Sequence, residues 1–246
     1  MKRVLIIGAT SAIASACARA WAEQGCEFFL VARSVEKLEQ VKADLTARGA
    51  KAVAVYCMDA TDFASHGPML ESCIASMRQI DVALIAHGTL PDQRKCEQDV
   101  VVALDELTNN GVSVIGLLTV LANQFEVQRC GTLAVISSVA GDRGRPSNYL
   151  YGTAKAAVST FCEGLRSRMF KVGVHVITIK PGFVDTPMTQ GLALPKLLVA
   201  NPVQVAKLIL KGIDKRKNTL YVPGFWRFIM LIIKAVPDFV FKRTNI

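Results

Sequence analysis

Six short apolar runs, separated by longer amphipathic stretches, set the frame for this 246-residue chain. They are Val4 to Ile7, Phe28 to Ala32, Ala52 to Met58, Asp81 to Ala86, Leu133 to Ser137 and Val174 to Ile179. Apolar runs of this length suit strands buried on both faces, as in a parallel sheet. The stretches between them carry helical spacing, as with Val35, Leu38, Val41 and Leu45 in Ser34 to Arg48. Strand and helix in alternation predict an α/β fold, a single-domain doubly wound parallel sheet over residues 1–222. Residues 223–246 read as an apolar, basic extension. At 51% hydrophobic residues the chain can fill a large core, which excludes wholesale disorder. Neither an internal repeat nor an interdomain linker breaks the pattern.

The first strand runs into Gly8-Ala-Thr-Ser-Ala-Ile-Ala14 and then an alanine-rich helix that Gly25 closes. A small-residue turn between strand and helix places a dinucleotide pyrophosphate on the helix N-terminus. The spacing is not the usual GxGxxG, because Ala12 and Ala14 stand where glycines would. The second strand ends in Ala32-Arg33, with no acid before Glu36. An acid there would bind the ribose 2′-hydroxyl of NAD, whereas a guanidinium suits a 2′-phosphate. This favours NADP(H) over NAD(H), the alternative being a solvated arginine. Asp59-Ala60 after the third strand suits either an adenine contact or a turn. His87-Gly88 after the fourth reads as a loop beside the cofactor, with nothing nearby placed to orient the imidazole. A long apolar helix from about Val102 to Val127 is expected to be interrupted at Asn109-Asn110-Gly111.

The stretch Ser137 to Lys155 carries the chemistry. Ser138 precedes Tyr151 by thirteen residues, and Lys155 follows four later. On a helix, positions i and i+4 share a face. An adjacent ammonium favours the phenolate and is expected to lower the tyrosine pKa. A serine hydroxyl from the preceding strand then addresses the oxygen that the tyrosine protonates. Arg143 and Arg145 lie between these residues, as a clamp for a substrate phosphate or as surface arginines.

These residues together resemble the short-chain dehydrogenase/reductase family, whose members have a Rossmann fold. The resemblance rests on the turn at Gly8, Asp59-Ala60, Ser138, Tyr151-x3-Lys155 and Pro181-Gly182, over about residues 1–222. It implies Ser138, Tyr151 and Lys155 as catalytic residues, with Asn110 (or Asn109 beside it) as a fourth that places a water by Lys155. It implies cofactor contacts at Gly8, Thr10, Ser11, Ala12, Ile13, Arg33, Asp59, Ala60, His87, Gly88, Tyr151, Lys155, Pro181, Gly182, Val184 and Thr186. The chain departs from the family at the glycines of the first turn. It also has Ile85-Ala86-His87-Gly88 in place of Asn-Asn-Ala-Gly. Within the family it is most similar to decaprenylphosphoryl-2-keto-ribose reductases, on DVALIAHG, SSVAGDRGRPSNYLYGTAKA and FWRFIMLIIKAVPDFVFKR. That likeness implies NADPH-dependent reduction of a lipid-linked keto-sugar or another lipophilic carbonyl. The same machinery would serve a steroid, retinoid or 3-ketoacyl group. A cofactor-sensing scaffold is the contrasting reading, usually marked by a degraded Tyr/Lys pair. The family also implies homodimers or homotetramers built through the helices at 102–127 and 151–171.

The net charge of +9 is unevenly placed. Residues 207–246 hold nine Lys or Arg against two Asp, so +7 of it lies there. A near-neutral body argues against a nucleic-acid groove. The apolar block Phe225 to Ile233, with Arg227 and Lys234 set in it, is too short to span a bilayer. It suits peripheral contact with the inner face of a membrane, or an oligomer interface. No run reaches the length of a transmembrane helix, and Gly8 cuts short any signal sequence. Seven cysteines without a CxxC pair predict free thiols in a reducing cytoplasm and no metal site. The apolar segment 187–201 is the expected substrate loop.

Overall fold

The computed structural model describes residues 1–191 and 194–244. Positions 192 and 193 of the expected substrate loop, and 245 and 246 of the tail, lie outside the described residues. The six expected strands form as β1 (Arg3–Ile7), β2 (Glu27–Ala32), β3 (Ala52–Cys57), β4 (Val82–Ile85), β5 (Thr132–Ile136) and β6 (His175–Pro181). A seventh, β7 (Thr219–Val222), joins the edge. Only four residues long and preceded by Lys215-Arg216-Lys217, it lacks the apolar run that announces the others. The strands form one parallel sheet in the order β3-β2-β1-β4-β5-β6-β7. The order reverses between β1 and β4, and ligands bind outside the strand C-termini at such a switch.

Helices cover both faces. On one side lie α1 (Ala12–Ala22), α2 (Val35–Ala47) and α8 (Pro202–Asp214), packing Ala18, Trp21, Leu38 and Ile209 against the sheet. On the other lie α3 (His66–Met77), α6 (Ser113–Gln128) and α7 (Tyr149–Phe170), with Leu117, Leu121, Phe125 and Val158 fully buried. The short α4 (Gln93–Gln98) precedes α5 (Val100–Leu107), which continues into α6.

The interruption at Asn109-Asn110-Gly111 is a π turn, Thr108–Val112, joining α5 and α6 into one helix from Val100 to Gln128. A π turn accommodates one extra residue without breaking the helix. Contrary to the expectation, this helix is long and apolar enough by composition to cross a membrane. Its apolar side is instead part of the core beneath the sheet. Gly111 lets it approach α7 closely, since a β-carbon there would sit 3.4 Å from Ala154 Cα.

The inner side of the C-terminal extension packs on the body. After β7 come α9 (Trp226–Ala235) and α10 (Asp238–Phe241). Trp226 and Met230 are buried with Val139, while Phe183 and Tyr221 pack around them. Phe183 meets Trp226 edge-on, with ring centroids 5.2 Å apart. Helical spacing divides the apolar block. Phe228, Leu231 and Ile232 point outward and are each about two-thirds exposed (68%, 67% and 68%).

Candidate active site

A cavity of about 420 Å³ opens at the C-terminal ends of the strands. Gly8, Thr10, Ser11, Ala12, Ile13, Arg33, Asp59, Ala60, His87, Gly88, Ser138, Tyr151, Lys155, Pro181, Gly182, Val184 and Thr186 all line it. Sixteen of the expected positions carry cofactor roles by resemblance, and the fold brings them to one cleft although they span residues 8 to 186.

Gly8 has φ +82°, and a β-carbon there would lie 2.4 Å from the His87 backbone nitrogen. Only glycine fits where the first turn meets the end of β4. Its amide and that of Ala9 bond the Val31 carbonyl, which fixes the turn against β2 (2.8 and 3.1 Å). Ser11 caps α1, accepting from the Ala14 amide at 3.3 Å. The helix N-terminus, with amides that have no partner inside the helix, therefore opens on the cavity.

At the far end, Arg33 is 69% exposed and 4.0 Å from the Asp59 carboxylate. Asp59 forms a turn, accepting from the Thr61 amide (2.9 Å) and hydroxyl (2.8 Å). The Thr61 amide bond holds this carboxyl below its usual range, with Arg33 adding to the effect. The turn role and a place on the cavity wall thus coexist.

His87 is held in place, contrary to the expectation. Its Nε2 bonds Ser113 Oγ at 2.9 Å, and Ser113 donates to the Asn109 carbonyl at 2.7 Å. Ser113 was missed because it lies 26 residues away on α6. Burial, reinforced by the Lys155 charge, pushes the imidazole down to about 3, so it is neutral. With Ser113 donating onward, Nε2 carries the proton and Nδ1 is left as a buried acceptor without a partner.

The π turn points Asn110 inward, where it is fully buried. Its Oδ1 accepts from the Thr89 amide (2.9 Å), and its Nδ2 reaches Thr89 Oγ1, the Glu106 carbonyl and the Glu106 carboxylate (3.1 Å each). The side-chain amide thus anchors the loop after β4. Asn109, which donates to Thr89 Oγ1 at 3.0 Å, lines the cavity where Asn110 does not.

Ser138 follows β5 and accepts from the Ala140 amide (3.1 Å), opening a 3-10 turn at Val139–Asp142. Two glycines seat this turn on α7. A β-carbon at Gly141 would lie 2.7 Å from the Lys155 carbonyl carbon, and one at Gly152 would lie 2.8 Å from the Ala140 oxygen. Their contribution was not read from the sequence, although both stand in plain view between Ser138 and Lys155. The seating fixes Ser138 against the start of α7, and Ser138 and Tyr151 line the same cavity.

Lys155 is buried, donates to the Ile136 carbonyl (3.3 Å), and lies 5.6 Å from the Tyr151 ring centroid. The expected lowering of the tyrosine pKa is not found. Burial pushes the phenol up to about 12, opposed by the Ser138 hydroxyl, and pushes the Lys155 ammonium down to about 8. Desolvation penalises the charged form of each, and in the protein alone it outweighs their mutual attraction.

Beyond Ser138, Asp142 is held between Lys180 Nζ (2.5 Å) and the Tyr221 hydroxyl (2.7 Å), joining the turn to β6 and β7. Nothing in the local sequence signals this triad, because its members are 38 and 79 residues apart. Arg143 is a clasp for the tail. It donates to the Ile233 and Val236 carbonyls (2.5 and 2.6 Å), pairs with Asp238 (2.8 Å) and stacks on Phe241 at 3.8 Å. A cation at those carbonyls satisfies the C-terminal end of α9. Arg145 is buried rather than at the surface, and it lines the cavity. Among the described residues, no group of three or more His, Cys, Asp or Glu is placed to hold a metal.

The short chain dehydrogenase model matches residues 2–196. The chain belongs to the short-chain dehydrogenase family. It is 36% identical over 240 residues to an uncharacterised oxidoreductase of Mycobacterium tuberculosis, covering 98% of this chain and 96% of that one. An uncharacterised oxidoreductase of Streptomyces coelicolor is 33% identical over 244 residues, covering 98% and 95%. Two solved structures share the fold at 20% identity. ElxO with NADP bound has a TM-score of 0.82, covering 93% of this chain and 100% of that one. NAD+-bound xylitol dehydrogenase has a TM-score of 0.77, covering 90% and 97%. This member of the family is an NAD(P)-dependent oxidoreductase. The glycine cradle at Gly8 and the open N-terminus of α1 fit a dinucleotide.

Proposed function

We propose that the protein is an NADPH-dependent reductase of a lipophilic ketone, with a lipid-linked keto-sugar as the favoured substrate. The convergence of Ser138, Tyr151 and Lys155 on one cavity wall carries this reading. Bound at the Gly8 turn, the cofactor would supply the hydride. Arg33 favours the 2′-phosphate form, since it is a largely exposed guanidinium after β2 whose ion pair with Asp59 is long, at 4.0 Å. Tyr151 is kept as a neutral phenol by burial, the form a proton donor to a developing alkoxide needs. The Ser138 hydroxyl orients the carbonyl oxygen and steadies its charge. Lys155, in hydrogen-bonding reach of the Ile136 carbonyl, stands behind the tyrosine as the charge that holds its oxygen ready to give up the proton. Thr186 and Val184, which line the same cavity as Ser138, would hold the nicotinamide.

The lipophilic substrate is supported by the C-terminal helices. The exposed Phe228, Leu231 and Ile232 of α9, with Phe239 of α10, are interspersed in the sequence with Arg227, Lys234, Lys242 and Arg243. An exposed apolar helix face in a basic segment suits the boundary of an anionic membrane, here the inner face of a cytoplasmic membrane. A homodimer or homotetramer would use the long helix, where Val100, Val101, Leu104 and Val112 are exposed.

The test is turnover of a polyprenyl-phosphate-linked 2-keto-sugar with NADPH, by wild type and Tyr151→Phe. The variant should bind NADPH as tightly and lose turnover by orders of magnitude. Undiminished turnover by Tyr151→Phe would remove the tyrosine from the mechanism. A wild type that reduces steroids or 3-ketoacyl thioesters but not the keto-sugar would replace the substrate.

A further inference from the structure

The two arginines between Ser138 and Tyr151 have different fates. Arg143 is occupied by the tail, whereas Arg145 has no comparable partner. Arg145 is 8% exposed, and the one hydrogen bond of its side chain among the described residues goes from Nη2 to the thioether of Met230 at 3.2 Å, a weak acceptor. Its Nε is buried with no partner among the described residues. The carboxylate whose charge reaches it, Asp142, is already committed on both oxygens, to Lys180 and to Tyr221. No ion pair among the described residues includes Arg145. A guanidinium held away from water without a counter-charge is costly, and proteins retain such groups where an anion arrives to meet them.

This residue lines the same cavity as Ser138 and Tyr151. Asn148, one turn before Tyr151, lines it too, and its Oδ1 is likewise buried without a partner. We propose that Arg145 is the receptor for an anionic group of the substrate, a phosphate ester or a carboxylate, carried near the reacting carbonyl. Asn148 takes a hydroxyl beside that anion. Arg145 is then a specificity residue. Its guanidinium is held by α9 through Met230, which couples the C-terminal helix to substrate choice. The inference rests on the ketone-reductase reading, but a binding measurement tests it without turnover. Absence of keto-sugar reduction therefore leaves it standing, and its own failure leaves the reductase standing.

The full chain saturated with NADP+ is titrated calorimetrically with octyl phosphate, octanoate and octanol. At least one anion should bind about tenfold or more tighter than octanol, the scale of a hydrogen bond to a charged group. The better of the two identifies phosphate or carboxylate. Arg145→Gln should erase the preference, Arg145→Lys should keep part of it, and neither should alter NADP+ affinity. Equal binding of anion and alcohol by wild type, or a preference surviving in Arg145→Gln, overturns the proposal. So does a loss confined to NADP+ affinity, which would assign the guanidinium to the cofactor. Should Arg145→Gln fail to fold, Met230→Glu places a carboxylate at Nη2. It should erase the anion preference while NADP+ still binds, and an unchanged preference there overturns the proposal equally.

Discussion

Gly182 and Trp226 are in such close contact that a β-carbon at 182 would lie 1.9 Å from the indole Nε1. The loop after β6 and the C-terminal helix therefore meet at a position where only glycine fits. Gly182→Ala should push α9 outward at a cost of about 1–3 kcal/mol, the range of an overpacked core. Amide exchange over 226–235 should speed up while α7 stays protected. Unchanged protection of α9 would mean that the indole moves aside freely.

The buried Lys155 ties stability to pH in the cofactor-free protein. Its folded value is about 8, against 10.5 for a free lysine. Between those values the unfolded chain binds more protons, so stability rises with pH across that window. Below pH 8 the folded state carries the full cost of a buried ammonium. Lys155→Met should therefore be more stable than wild type at pH 7 by roughly 3 kcal/mol, at 1.36 kcal/mol per unit. The advantage should shrink by pH 9.5, before Tyr151 titrates. Denaturant unfolding at the two pH values measures it, and a pH-independent difference would contradict the account.

Arg33 stands 4.0 Å from Asp59 and is otherwise open to solvent. Arg33→Glu exchanges a partner for a 2′-phosphate for one suited to a 2′-hydroxyl. The NADPH-over-NADH affinity ratio should fall about tenfold to a hundredfold, as a charged hydrogen bond is lost. An unmoved ratio would place the selectivity elsewhere in the cleft.

Phe228 and Leu231 face outward from α9. Replacing both with Glu should abolish co-flotation with phosphatidylserine-containing vesicles, since each buried apolar side chain contributes about 1.5–3 kcal/mol. Wild-type flotation should weaken as salt rises. If wild type never floats, the exposed face is not a membrane face.

The sheet was legible early because buried parallel strands leave short apolar runs, and β1, β2 and β4 to β6 all show them. β7 was not, because a four-residue edge strand behind a basic run needs β6 to define it. Asn109-Asn110-Gly111 announced an irregular helix, while the π turn that solves it depends on Thr89 and Glu106 accepting the asparagine amide.

Residue type and spacing determined which side chains could meet, because strand ends in a doubly wound sheet share one edge and i, i+4 residues share one helix face. They brought Gly8, Arg33, Ser138, Tyr151 and Lys155 to a common cleft. Spacing carries no information about burial, however, and burial sets charge. Only the tertiary structure decided that Tyr151 is driven up rather than down, and that His87 is neutral and bound to Ser113. It also decided that Arg143 clasps the tail while Arg145, two residues away, is enclosed without a counter-ion among the described residues. These outcomes depend on elements more than ninety residues distant in the chain, which no local pattern records.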